Sequence, residues 1–381
     1  MALIDKSEFV GLDGVAHLCT GGEAPWLRSH DGACARFGAL KSAGMAGREQ
    51  MFVTAERVRG RAARLLGVTT GEVALLAHAS EGLNQAVRSV DWRAGDNVVF
   101  ADLEYPSLIY PAALLRERGV EPRVVRTRDH YLGLDDLAAR VDRRTRLVLV
   151  SQVSYLTGQR LDLARCADIA RGAGAWLAVD ATHAAGVVPV PGAICDFVVS
   201  SCYKWLLATH GVGLFAYSAR RVGTLAPHTV GWHSVGHRGG TSDPLAMPWR
   251  ADASRLEAGN PSLLGLAVLD NALQRLEALV PADVERHARD LGRPLIEGLR
   301  RRGFPVITPE PVAERAGNIC FLADDAAGLA ARLAERGVLV WGGEGRIRVS
   351  PHVHCDAADI DRFFDALDHV GAARRPQIAA R

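Results

Sequence analysis

No stretch of the 381 residues stays apolar long enough to span a bilayer. The opening residues, MALIDKSEFVGLDG, lack the basic segment and apolar core of a secretory leader, so a cytoplasmic location is expected. Neither sign of charge dominates. Lys+Arg total 45 against Asp+Glu 43, a formal net charge of +2, which gives no reason to expect nucleic acid or an anionic membrane as a partner. The seven cysteines (Cys19, Cys34, Cys166, Cys195, Cys202, Cys320, Cys355) are scattered and form no CxxC pair, the pattern of reduced thiols in a core. His352-Val-His354-Cys355 holds potential metal ligands but has no second cluster, and neighbours on a strand face opposite ways, so no metal site is expected. An early strand followed by GxGxxG is missing, which argues against a Rossmann dehydrogenase. There is no internal repeat and no low-complexity tract.

What is present is ordinary globular material, 48% hydrophobic and 23% charged, long enough for two or three domains or one large domain with a smaller companion. After a strand over 72–77, strands at 97–101, 123–126, 147–151, 176–180 and 197–200 alternate with helical patterns at 108–118, 134–141 and 161–174. Continuous apolar strands between amphipathic helices predict an α/β fold with a mainly parallel sheet covered on both faces. A further strand is expected over 212–217 and long helices over 263–279 and 281–302. Beyond these the pattern becomes strand, helix, strand, strand, helix. The division expected is a large domain over 16–256 and a smaller α+β domain over 257–375, with residues 1–15 packing on the latter. ARRPQIAAR, at the end, reads as a disordered tail.

The stretch DFVVSSCYKWL, residues 196–206, draws the pattern together. Lys204 follows a buried-looking strand and lies between two aromatics. A desolvated amine there is a candidate Schiff-base former, the alternative being a surface lysine at a strand end. Asp180 ends the preceding strand; a carboxylate there either caps the following turn or pairs with a protonated ring nitrogen. Ser80-Glu81-Gly82 opens a helix whose amides and dipole suit a phosphate, with Ser80 as a capping residue. Phosphate helix, then acid, then lysine, each at a strand end, fits the needs of pyridoxal 5'-phosphate: an amine, a partner for the pyridinium and a phosphate cradle.

With these motifs on the page, the chain resembles the class V aminotransferase family of pyridoxal 5'-phosphate fold type I, a large domain with a seven-stranded-type sheet and a smaller α+β domain. The family includes cysteine desulfurases, selenocysteine lyases and isopenicillin N epimerase-like proteins. Motifs from Ala77 to Asn260 carry the likeness, and the C-terminal pattern extends it. By resemblance, VDATHAAG places Asp180 on the pyridine nitrogen and His183 at the phenolic oxygen or ring edge. SSCYKWL makes Lys204 the Schiff-base lysine, with Ser201 and Tyr203 on the phosphate. HASEGLN gives Ala79, through its backbone, and Ser80. DLEYPS puts Tyr105 on the ring face. In SQVSYLTG the family carries Asn where this chain has Tyr155, whose hydroxyl can still donate. EAGNPS has Asn260 where the family has Thr reaching the neighbouring subunit's phosphate, which implies a homodimer. GRIRVSPHV assigns Arg348 to the substrate α-carboxylate, the alternative being a strand-edge arginine.

The resemblance therefore implies an enzyme acting on an amino acid, with Lys204 and Asp180 catalytic. Aminotransferase activity is expected first, and carbon–sulfur lyase or epimerase activity is the alternative. A persulfide-forming desulfurase is not expected, because AERGVLVWGGEGRIRVS contains no Cys; Trp341-Gly-Gly in that place could wall the substrate. A non-catalytic regulator of this fold is disfavoured by the joint presence of Lys204, Asp180 and Arg348.

Overall fold

A computed structural model describes residues 1–236, 243 and 245–370. The C-terminal ARRPQIAAR lies outside the described residues. Strands run in chain order as β1 (Ala16–His17), β2 (Val73–Leu76), β3 (Asn97–Ala101), β4 (Glu121–Val125), β5 (Thr145–Ser151) and β6 (Trp176–Asp180). They continue as β7 (Phe197–Ser201), β8 (Gly213–Tyr217), β9 (Ile319–Leu322), β10 (Val338–Leu339), β11 (Trp341–Gly343) and β12 (Arg346–Val349).

Seven of them form the central sheet, in the order β2-β8-β7-β6-β5-β3-β4. Pairings from β7 through β4 are parallel, whereas β8 runs antiparallel to both β7 and β2. The mainly parallel α/β fold expected from the apolar runs is thus observed, with one reversed strand near the edge. Strands such as Phe197–Ser201 are buried along their whole length because helices cover both faces. Two apolar clusters flank the sheet, one including Val99, Val148 and Val198, the other Val98, Leu149 and Phe197.

The topology brings the carboxyl ends of β2, β3, β5, β6 and β7 to one edge. Ser151 is paired with Asp180 across that edge, Asp180 with Val199, and Ser201 and Leu76 each with Gly213. In an open parallel sheet this edge is where crossover loops leave a crevice.

The C-terminal part contains the three-stranded antiparallel sheet β11-β12-β9 and the parallel pair β1-β10. A third cluster, including Leu295, Phe321, Ile347, Phe363 and Leu367, holds it together. Packing beyond the expected boundary at residue 257 is shared between the two bodies. The helix Leu263–Glu277 buries Leu266, Leu269 and Leu273 in the same cluster as Ala55, Val58 and Ala62, on the large body. The helix Pro281–Arg301 spans both bodies, with Val284 and Ala288 in the large cluster and Leu291 to Leu299 in the small one. Conversely, Ala16 and Leu18 pack in the small cluster. Residues 1–15 touch both: Lys6 pairs with Asp359 at 2.5 Å, while Phe9 and Leu12 join the large cluster.

Candidate active site

At the carboxyl edge lies a cavity of about 130 Å³ lined by Ala79, Ser80, Tyr105, Ser107, Tyr155, Asp180, Thr182, His183, Ser201, Tyr203 and Lys204, among others. Nine of the expected residues therefore share one cavity although they span more than a hundred positions of chain.

Lys204 is the third residue after the end of β7 and is buried. Burial, then the charge of Arg348, push its amine down to about 8; Asp180 and Glu23 oppose this. Its Nζ lies 5.6 Å from the Tyr105 ring centroid and 5.4 Å from that of Tyr203. An amine that titrates near 8 is about one-tenth neutral at pH 7, far more than an ordinary lysine, and is correspondingly more nucleophilic.

Asp180 ends β6. Its Oδ1 accepts a hydrogen bond from the Thr182 amide at 2.8 Å, closing a tight turn. Burial nevertheless raises its carboxyl above the usual range, against the Thr182 hydrogen bonds and the Lys204 charge. Among the described residues no basic side chain reaches it within ion-pair distance. A buried carboxylate in this condition lacks a cationic partner, and a protonated ring nitrogen would supply one.

His183 is buried between Lys204 and the C-terminal body. The indole N–H of Trp205 donates to its Nδ1 at 3.2 Å, and the amide of Asn318 reaches the same atom at 3.0 Å. An indole nitrogen can only donate, so Nδ1 is the acceptor and the neutral ring carries its proton on Nε2. Nε2 lies 3.4 Å from Lys204 Nζ. Burial, with the charges of Lys204 and Arg348, holds the ring well below its ordinary value and hence neutral.

The helix Ala79–Arg88 starts at the cavity. Its N-cap is His78, whose Nδ1 accepts from the Glu81 amide at 3.0 Å, so the expectation that Ser80 caps the helix is corrected. Ser80 sits on the first turn, where amides have no intrahelical acceptor, and its hydroxyl donates to Ser107 Oγ at 2.7 Å. Gly213 lets the turn approach the sheet: a Cβ there would lie 2.4 Å from the His78 carbonyl carbon and 2.7 Å from the Ala79 nitrogen. Ser201 reaches Thr182 through both its amide, at 3.1 Å, and its hydroxyl, at 3.4 Å. Tyr203 stacks on His210 at 4.2 Å. Tyr105 is 41% exposed and meets Tyr155 edge-on at 5.1 Å. This donor set suits a phosphorylated pyridine aldehyde: helix-terminal amides with hydroxyls at one end, a carboxylate for the ring nitrogen, an aromatic for its face and an amine.

Arg348 is buried on β12. Its Nη1 donates to the Tyr155 carbonyl at 2.9 Å, while its Nε is buried without a partner. The loop Cys19–Glu23 makes room for it: a Cβ on Gly21 would lie 3.2 Å from Arg348 Nε and 2.7 Å from both Asn318 Oδ1 and Ser350 Oγ. Asn260 does not line the cavity of its own chain; it is exposed and accepts from Arg48 at 3.0 Å.

Some contributors gave no pattern in the sequence. Thr182 and Ser107 lie within VDATHAAG and DLEYPS, where nothing in the residue pattern marks them. Glu104 accepts from Ser151 N at 2.9 Å and Ser151 Oγ at 2.5 Å, tying the Tyr105 turn to β5, and burial pushes its carboxyl up to about 7. Cys19 lies close enough to Arg348 to feel its charge, yet burial raises its thiol, which disfavours the thiolate. His352 and His354 each bond a backbone carbonyl at 2.9 Å, those of Trp205 and His17.

Fold and site define an enzyme of the pyridoxal 5'-phosphate fold type I class. The family model for aminotransferase class-V matches residues 37–363, and the chain belongs to that family, whose members use pyridoxal 5'-phosphate. A probable cysteine desulfurase of Pseudomonas aeruginosa is 28% identical over 333 residues, 82% of each chain. The apo cysteine desulfurase of Thermococcus onnurineus NA1 superposes with a TM-score of 0.87 at 20% identity, covering 96% of both chains. A cystine C–S lyase in complex with its product, cysteine persulfide, gives 0.86 at 22% identity, covering 94% of this chain and 98% of that one.

Proposed function

We propose that the protein cleaves a carbon–sulfur bond in a sulfur-containing amino acid, without a persulfide on the protein itself. The observation carrying this reading is Lys204, its amine lowered by burial, set between Asp180, His183 and Arg348. Relatives named cysteine desulfurase support breakage at sulfur. The segment before Arg348, by contrast, runs from β10 through β11 to β12 with no cysteine to accept sulfur.

Pyridoxal 5'-phosphate, when bound, supplies an electrophilic carbonyl and an electron-accepting ring. Lys204 would hold it, Asp180 would keep its ring nitrogen protonated, and Nε2–H of His183 would donate to its phenolic oxygen. Ala79, Ser80, Ser201 and Tyr203 would take the phosphate, and Tyr105 would cover the ring. Arg348 would orient the substrate carboxylate so that its α-proton faces Lys204, the general base. Tyr155, edge-on to Tyr105, would close the side of the cavity. Aminotransferase activity is the second reading; it needs no sulfur acceptor, and the missing thiol favours it equally.

The unit in solution would be a cytoplasmic homodimer. Trp232, 59% exposed, shares Arg48 with Asn260, an apolar and amide-bearing face suited to a second copy. On this reading Asn260 serves the phosphate of the neighbouring site.

The chain has three lysines, Lys6, Lys41 and Lys204, so borohydride fixation of added cofactor is diagnostic. Label is expected on Lys204 alone, and a yellow band absent in Lys204→Ala. Incubation with cystine or cysteine should release sulfide or persulfide with pyruvate; keto acid with pyridoxamine phosphate would select the second reading. Label on Lys6 or Lys41, or no cofactor uptake, refutes the site.

A further inference from the structure

Arg348 has a neighbour that the carboxylate-binding role does not use. Arg346 stands two residues earlier on β12, hence on the same face of the strand. Its side chain is only 4% exposed. Nη1 donates to Glu344 Oε2 at 2.6 Å, but Nε and Nη2 are buried with no hydrogen-bond partner. Glu344 is itself 66% exposed, and such a carboxylate holds an arginine weakly. Leaving two guanidinium nitrogens buried and unpaired is costly, so the arrangement is that of a group awaiting an acceptor.

Its guanidinium meets one side chain of the cavity wall. The guanidinium carbon lies 5.3 Å from the Tyr155 ring centroid, and that ring lines the cavity. Both arginines rest on Trp341, Arg346 at 4.7 Å and Arg348 at 5.1 Å from its ring centroid. Trp341 thus contacts two buried cations whose positions on the strand are about 7 Å apart, a span a small diacid can bridge.

We propose that Arg346 is a second anion-recognising group, and that the substrate is an amino acid carrying another acidic group beyond its α-carboxylate. A side-chain carboxylate, a sulfinate, or the second carboxylate of a disulfide-linked amino acid shares this chemistry. The inference rests on the amino-acid reading above but not on which bond is broken.

Unreactive acids provide the test, with binding to the holoenzyme read by calorimetry. Succinate and glutarate should bind about tenfold or more tightly than propionate and butyrate, the effect of one charge-assisted pair. Arg346→Met should abolish that preference while leaving propionate affinity unchanged, and Arg346→Lys should retain part of it. Equal affinity for mono- and dicarboxylates in the unmodified enzyme overturns the proposal whether or not the variants fold. So does an Arg346→Met variant that keeps the preference or loses both classes alike. Methanesulfinate and sulfinate-bearing propionate, compared in the same way, tell sulfinate from carboxylate. Because no product is measured, a wrong reaction class leaves this result intact.

Discussion

Trp205 and His183 are joined by a hydrogen bond of 3.2 Å from the indole N–H to Nδ1, which leaves Nε2–H of His183 directed at Lys204. The bond fixes a tautomer, and Asn318 supports it from the C-terminal body, where Ser350 holds the same amide through its Oδ1 at 2.8 Å. His183 is thus set by a residue four positions past the β7 end and by one more than a hundred positions away.

Removing both donors, in Trp205→Phe combined with Asn318→Leu, should let the ring proton redistribute between the two nitrogens. Nitrogen-15 NMR of the His183 ring in the apoprotein reads this directly: a single Nε2–H tautomer in the parent, a mixture in the double variant. A mixture already present in the parent would contradict the assignment.

Lys204 should titrate near 8 in the apoprotein, against an ordinary lysine value of 10.5. Because the folded value is the lower one, the neutral amine is favoured by folding. That contribution to stability is complete above the ordinary value and is lost as pH falls through about 8. Trinitrobenzenesulfonate modification followed by peptide mapping should show Lys204 reacting with a midpoint near 8. In Asp180→Asn the midpoint should move lower, since Asp180 supplies charge that supports the ammonium form.

Glu104 works in the opposite direction. Its folded value, about 7, exceeds the ordinary 4.5, so its contribution is complete below 4.5 and disappears as pH rises through about 7. Comparing urea midpoints of the parent and Glu104→Gln across pH 4 to 8 should reveal a parent-specific decline of at most about 3 kcal/mol. Parallel curves would show that Glu104 stays ionised.

Gly213→Ala places a methyl group 2.4 Å from the His78 carbonyl carbon. The first turn of the helix Ala79–Arg88 must then move, and with it the amides of Ala79 and Ser80. Cofactor affinity, measured by absorbance titration, should fall about tenfold or more, because such sites tolerate little displacement. Unchanged affinity would separate this turn from the phosphate.

Part of this was readable along the chain. LVLVS, WLAVD and FVVSS are apolar on both faces, so sheet and carboxyl edge followed from local pattern. The helix Ser29–Ser42 has no signature in the sequence, because SHDGACARFGALKS carries no apolar stripe and buries only His30 and Ala33. The Leu263–Glu277 helix was evident as amphipathic, but periodicity shows that a helix has a face to bury, not which body receives it.

Local chemistry by itself determined the order of phosphate turn, acid and lysine, since each is a strand end followed by a residue type that burial makes reactive. Only the tertiary structure decided which distant groups surround them. Arg348 lowers the Lys204 amine, Asn318 and Trp205 orient His183, Glu104 braces Tyr105, and Trp341 sets Arg346 beside Arg348. Spacing along a chain cannot convey such relations, because through-space charge and hydrogen bonding depend on the crossing of the two bodies rather than on neighbours in sequence.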